Sequence, residues 1–149
     1  MSSLSPLLSL LHLLGLVLGV GAGTVKMILL LKARADHGFL PVYVQASKPI
    51  TRVIVFGLLV LTLSGLGHLF VGGGYPFTPG LIVKLFAVVA LWGIGPVIDK
   101  VVEPKFQRLV PAPGQPPSPE FVQALKQYLA LEAAANSVFY GITILWVLG

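Results

Sequence analysis

The sequence predicts an all-α integral membrane protein, a bundle of four transmembrane helices with both termini outside. Three observations carry that expectation. Of its 149 residues 56% are hydrophobic and only 10% charged, with a mean hydropathy of +0.93, too little charge to cover a soluble domain of this size. Four apolar segments, roughly 5–31, 50–71, 79–99 and 121–148, reach the ~20 residues that a hydrocarbon core about 30 Å thick requires. The ten basic residues crowd beside two of the connections, and that asymmetry orients the chain. A single domain, residues 1–149, accounts for the length.

The first span opens with "LLSLLHLLGLVLGVGAG" at 7–23. It is too long and too glycine-rich for a signal peptide and lacks a basic leading region, so it reads as a retained helix. His12, Gly15, Gly19, Gly23 and Lys26 recur every three or four residues and therefore share one helix face. Glycines four apart make a groove that a second helix can approach closely. His12 should accordingly face protein rather than lipid. The connection "KARADHGFLPVYVQASKP" (32–49) is mixed and polar, and His37, between Asp36 and Gly38, reads as a solvated loop residue.

In the second span Gly57, Leu61, Ser64 and His68 form a comparable stripe. The turn-rich, uncharged "VGGGYPFTPG" (71–80) predicts a tight hairpin. The third span carries Lys84 in its first turns and Pro96 near its end, where proline should kink the helix. A proline-rich, extended spacer follows over 110–121. It closes on Ser118-Pro119-Glu120, with serine as cap and proline as the first helical residue. The fourth span places Glu132, Asn136 and Tyr140 at successive i+4 positions, then Thr143.

Lys26, Lys32, Arg34, Lys48 and Arg52 lie at the first connection, and Lys100, Lys105, Arg108 and Lys126 around the third; only Lys84 falls on the other side. The positive-inside rule then puts both basic connections in the cytoplasm and both termini on the periplasmic side of a bacterial inner membrane. The net charge of +5 is read as attraction to anionic lipid in the bilayer. No base-stacking or groove-reading motif accompanies it, so nucleic acid is not an expected partner.

A rise of about 1.5 Å per residue places His12 roughly 10 Å, His68 about 5 Å and Lys84 about 7 Å below the outer boundary. Lys26 and Glu132 fall in the inner leaflet instead. There an interhelical ion pair or snorkelling of Lys26 to the interface would relieve the cost of a charge in hydrocarbon. Two histidines on facing helices at similar depth are what axial ligation of a b-type haem requires, and a cation such as Lys84 suits the propionates. A hydrogen bond across helices is the simpler alternative for each histidine. With no cysteine and only Met1 and Met27 as methionines, thiolate chemistry is excluded and a copper(I) path has few ligands. No acidic pair, Ser/His/Asp order or zinc spacing points to hydrolysis. "VGGGY" is a turn rather than a phosphate loop.

The arrangement of "LHLLG", "LSGLGHLF" and "PGLIVKLFAVVALWGIGPVIDK" resembles small four-helix membrane proteins related to the copper-resistance D (CopD) family and the HemJ-type protoporphyrinogen oxidases. The resemblance implies roles for His12 and Lys84 in haem or porphyrin handling, while His68 has no named counterpart in it. The leading expectation is thus a membrane haem b protein with His12 and His68 as iron ligands and Lys84 nearby. It would transfer electrons, with a quinone or within a larger respiratory membrane complex. A non-catalytic accessory or structural subunit of such a complex and a HemJ-like oxidase are the alternatives.

Overall fold

In the computed structural model, which describes residues 4–71 and 77–148, the chain is helical throughout its long segments. Helix α1 spans Leu4–Ala35 and, after a short 3₁₀ turn at His37–Phe39, α2 spans Leu40–Val71. Helix α3 covers Pro79–Val97, continues through one π turn at Ile98–Val102 and runs on as α4, Glu103–Arg108. Helix α5 covers Pro119–Leu148. Four of these units are long and apolar enough to cross a membrane: Leu4–Ala35, His37–Val71, Pro79–Arg108 and Pro119–Leu148.

The starts of α1 and α3 and the ends of α2 and α5 lie together, here termed the terminus end. The opposite, basic end carries the turn at 36–39 and the proline-rich segment. Helices α1 and α2 form the most closely packed pair; α1 also packs on α5, and α5 on α3. At 32 residues, α1 is about 48 Å long, well beyond a hydrocarbon core of about 30 Å.

The capping expectation at Ser118 is met, and the structure adds a second cap at Thr78. Ser118 Oγ accepts from the Phe121 amide at 3.1 Å, ahead of Pro119, satisfying an amide that has no partner within the helix. Thr78 does the same for the Leu81 amide at 3.2 Å. The tight hairpin expected over 71–80 falls largely on residues 72–76, outside the described residues.

Two helix boundaries differ from expectation. The polar connection 32–49 is nearly all helix: α2 begins at Leu40, not near residue 50. Leu40, Tyr43 and Ser47 are buried, a three-then-four spacing that defines one helix face, and packing of that face outweighs the missing donor at Pro49. The turn is confined to Asp36–Phe39, where Asp36 Oδ1 accepts from the Gly38 amide at 2.9 Å. His37 is exposed as expected, with its edge against the Phe121 ring. The third span runs past residue 99 to Arg108. Pro96 lies inside it, and the helix widens from Ile98 onward. A widened turn accommodates Pro104, which has no amide to donate and whose ring crowds the carbonyl four residues back.

The glycine seam of α1 serves two neighbours. A Cβ on Gly15 would stand 2.5 Å from Leu61 N and 2.8 Å from Gly57 O on α2, so the two backbones touch. Gly19 touches both neighbours, since a Cβ on Gly57 of α2 would meet its N at 2.7 Å and its own would meet Phe139 of α5 at 2.7 Å. Gly23 lies under Asn136 of α5, also at 2.7 Å. Close approach of this kind drives helix association where lipid offers no hydrophobic advantage.

The core has two parts. Leu16, Leu58, Leu61, Leu91, Phe139 and Ile142 fill the middle of the bundle. Tyr43, Phe106, Phe121 and Tyr128 anchor an aromatic cluster at the basic end, with Leu30, Leu40, Ile98 and Leu125 around it. Between the two lies a buried polar layer of Lys26, Glu103 and Glu132.

Candidate functional site

Toward the terminus end the bundle is not closed, and a partly open cleft of about 360 Å³ lies among all four long helices. Its floor is apolar, with Leu61, Val88 and Ile142, and its polar rim brings together Ser9, His12, Thr62, His68 and Lys84, with Trp146 alongside. His12 and His68, singled out in the sequence by depth and helix face, and Lys84, singled out by depth, therefore line one space. All three are half-buried.

His12 is the best-oriented of them. Its Nδ1 lies 3.0 Å from Ser64 Oγ. The single Ser64 hydroxyl proton is directed to backbone carbonyls of its own helix, Val60 O at 2.7 Å and Leu61 O at 3.1 Å. Ser64 must then accept from His12 Nδ1–H, which leaves the lone pair on Nε2. An imidazole held through one nitrogen so that the other is free to coordinate is the usual arrangement of a metal-ligating histidine. Gly65 keeps the ring in place, since a Cβ there would be 3.3 Å from His12 Cε1.

His68, on the same helix as Ser64, has Nε2 at 3.4 Å from Ser9 Oγ. Its ring stands edge to face with that of His12, centroids 6.2 Å apart and planes at 82°. The cleft extends from this pair to α3 and α5, which line its other sides. Lys84 approaches from α3 across the cleft. Thr62 completes the rim; its Oγ accepts from Trp92 Nε1–H at 3.0 Å, tying α3 to α2.

The donor set suits some groups better than others. Among the described residues no three His, Cys, Asp or Glu side chains gather to hold a bare metal ion. A haem iron is less demanding, because the macrocycle supplies four nitrogens and the protein one or two. The apolar walls, the free Nε2 of His12 and the cation at Lys84 meet that smaller requirement. His12 would hold such a group, and His68, which lines the same cleft, is the second candidate ligand.

The inner layer pairs as expected and gains a member. Lys26 Nζ lies 2.7 Å from Glu132 Oε1 and 3.0 Å from Glu103 Oε2. Lys26 also donates to Thr51 Oγ at 2.9 Å, and Gln107 to Glu103 Oε1 at 3.1 Å. The lysine is tied into an ion cluster rather than snorkelling. Glu103 was invisible as an inward residue in the sequence. From the buried Ile98 a uniform α-helix would bring residue 101 or 102 inward, and the extra residue of the π turn advances the phase to Glu103. The remaining polar residues of α5 are engaged too. Tyr140 Oη lies 2.6 Å from Thr24 Oγ, and Asn136 Nδ2 donates to Glu132 O at 2.9 Å.

No family model, no curated protein and no solved structure matches the chain.

Proposed function

We propose that the protein is an integral membrane haem b protein of a bacterial inner membrane, with both termini on the periplasmic side and the cleft in the outer leaflet. The observation that carries this reading is His12, whose Nε2 lone pair is left free beside an apolar cleft by the hydrogen bond from Nδ1 to Ser64. His12 would hold the iron and Lys84 would meet the propionates. His68 is the candidate second ligand, its ring centroid 6.2 Å from that of His12. Haem supplies one-electron redox chemistry, so electron transfer, with a quinone or a respiratory complex as partner, is the role that follows. The two-layer distribution of charge supports the orientation, since all the basic residues but Lys84 lie at the other end.

The test is a reduced-minus-oxidised spectrum of protein purified after haem-replete expression. The wild type should be coloured, and His12→Ala should lose the haem. If His68 is the second ligand, His68→Ala converts a low-spin, six-coordinate spectrum to a high-spin one. A colourless wild type overturns the reading. His12 and Lys84 sharing one cleft also favours a tetrapyrrole substrate as the second reading, a HemJ-like porphyrinogen oxidation. Rescue of a strain lacking that activity, lost with His12→Ala, would select it.

An accessory role rests on a separate observation. On α3, Cβ atoms added at Gly93 and Gly95 would meet nothing within 4 Å, so that surface has room for a neighbouring helix. Copurification of a partner in mild detergent, lost on Gly93→Leu, is the corresponding experiment.

A further inference from the structure

The cluster at Lys26 is unbalanced. One ammonium faces two carboxyl groups, and the three residues are only 2%, 4% and 4% exposed. The other groups facing it from each packed helix are neutral: Thr51 from α2, Gln107 from α4, and the Tyr43–Tyr128 hydroxyl pair, hydrogen-bonded at 2.7 Å, from α2 and α5. Lys26 also lies over the Tyr128 ring, 5.5 Å from its centroid. Arg52 and Lys100, the neighbouring cations in sequence, are exposed. With both carboxyls ionised, the cluster would bury a net negative charge that no inward cation offsets, an arrangement costing several kcal/mol.

The two carboxyls are not equivalent. Glu103 accepts from Lys26 on one oxygen and from Gln107 on the other, the donor set of an ionised carboxylate. Among the described residues Glu132 has only the ammonium, 2.7 Å from Oε1, and lacks a second donor. One turn further along the same face, the buried Asn136 Oδ1 lacks any. A donor is missing on this side of the cluster, and a carboxylic acid proton is a donor.

We propose that the Lys26–Glu103–Glu132 cluster is a proton-binding site that holds one proton, resting on Glu132, and that this proton balances its charge. Gln107 lies between Glu103 and Ser47, 3.5 Å from the Ser47 hydroxyl, and gives the site a polar route toward the basic end. Lys26 lies 22 residues past Leu4, about 33 Å along the helix. With the terminus end at one boundary of the hydrocarbon, the cluster therefore sits at the other boundary. The site stands independently of what the cleft at the far end binds.

Infrared spectroscopy of the full-length protein in nanodiscs tests this directly, because the chain has only five Asp and Glu residues and Asp36, Asp99 and Glu120 are exposed. At neutral pH the wild type should show one carboxylic acid carbonyl band that shifts in D₂O. Glu132→Gln should abolish it. Glu103→Gln should abolish it as well, although Glu132 is still present, because the remaining carboxyl then balances Lys26. Lys26→Gln should double the band, and Glu120→Gln should leave it unchanged. A wild-type spectrum without the band overturns the proposal, whether or not the variants fold. So does survival of the band in either the Glu103 or the Glu132 variant, or its failure to grow in the lysine variant.

Discussion

Replacing Gly15 with alanine places a methyl carbon 2.5 Å from Leu61 N, 2.8 Å from Gly57 O and 2.9 Å from Leu61 Cα. All three are backbone atoms, so no side chain can rotate to make room. Ordinary van der Waals contact begins near 3.4 Å, so α1 and α2 must part by about 1 Å at this level, a gap that forfeits a quarter to a half of each dispersion contact along the seam. Overpacking of this kind costs about 1–3 kcal/mol. Gly21→Ala is the matched control, since its Cβ would meet nothing within 4 Å, and the change gains up to ~1 kcal/mol of helix propensity. The two variants, chemically identical and two turns apart or less, should differ by roughly 2–4 kcal/mol on these principles. Reversible unfolding in mixed micelles, followed by circular dichroism, measures the difference. The effect should reach the cleft, because Gly15 lies one turn from His12 and separation of the helices pulls His12 from Ser64. Equal stability of the two variants would refute the close backbone contact on which the placement of His12 depends.

Two further outcomes follow from single hydrogen bonds. Ser64→Ala removes the acceptor for His12 Nδ1–H. It should lower stability by about 1 kcal/mol and, on the haem reading, weaken haem retention in a dilution series while Thr62→Ala leaves it nearly intact; equal retention in both would disconnect Ser64 from the site. The Tyr43–Tyr128 hydroxyl pair, 2.7 Å apart and buried, should show a coupling of about 1 kcal/mol in a double-mutant cycle with phenylalanine at each position. Additive effects would mean that each hydroxyl finds another partner.

Much of the site could be read from residue spacing. His12, His68 and Lys84 were assigned to one depth, the two histidines also to inward faces, and the three line one cleft. Lys26 and Glu132 were paired on charge and depth alone, and they stand 2.7 Å apart. Ser9 and Thr62 gave no signal, because an isolated hydroxyl in an apolar helix has many ordinary uses, such as bonding its own backbone. The orientation of the His12 ring was equally hidden: it depends on where the Ser64 proton goes, a matter of local geometry rather than of residue order.

By itself, the sequence determined what is local to each helix: the apolar lengths, the cap at Ser118, the inward stripes and the separation of polar groups into two layers. These follow from a rise and a periodicity that every α-helix shares. The tertiary structure decided what depends on neighbours and on accumulated phase. It divided the glycine seam between α2 and α5, extended α2 back to Leu40 by burying Tyr43, and left the bundle open beside His12. It also turned Glu103 inward, because one extra residue in the π turn rotates everything after it. A change of phase at Ile98–Val102 leaves no mark in composition, yet it sets the charge of the buried cluster.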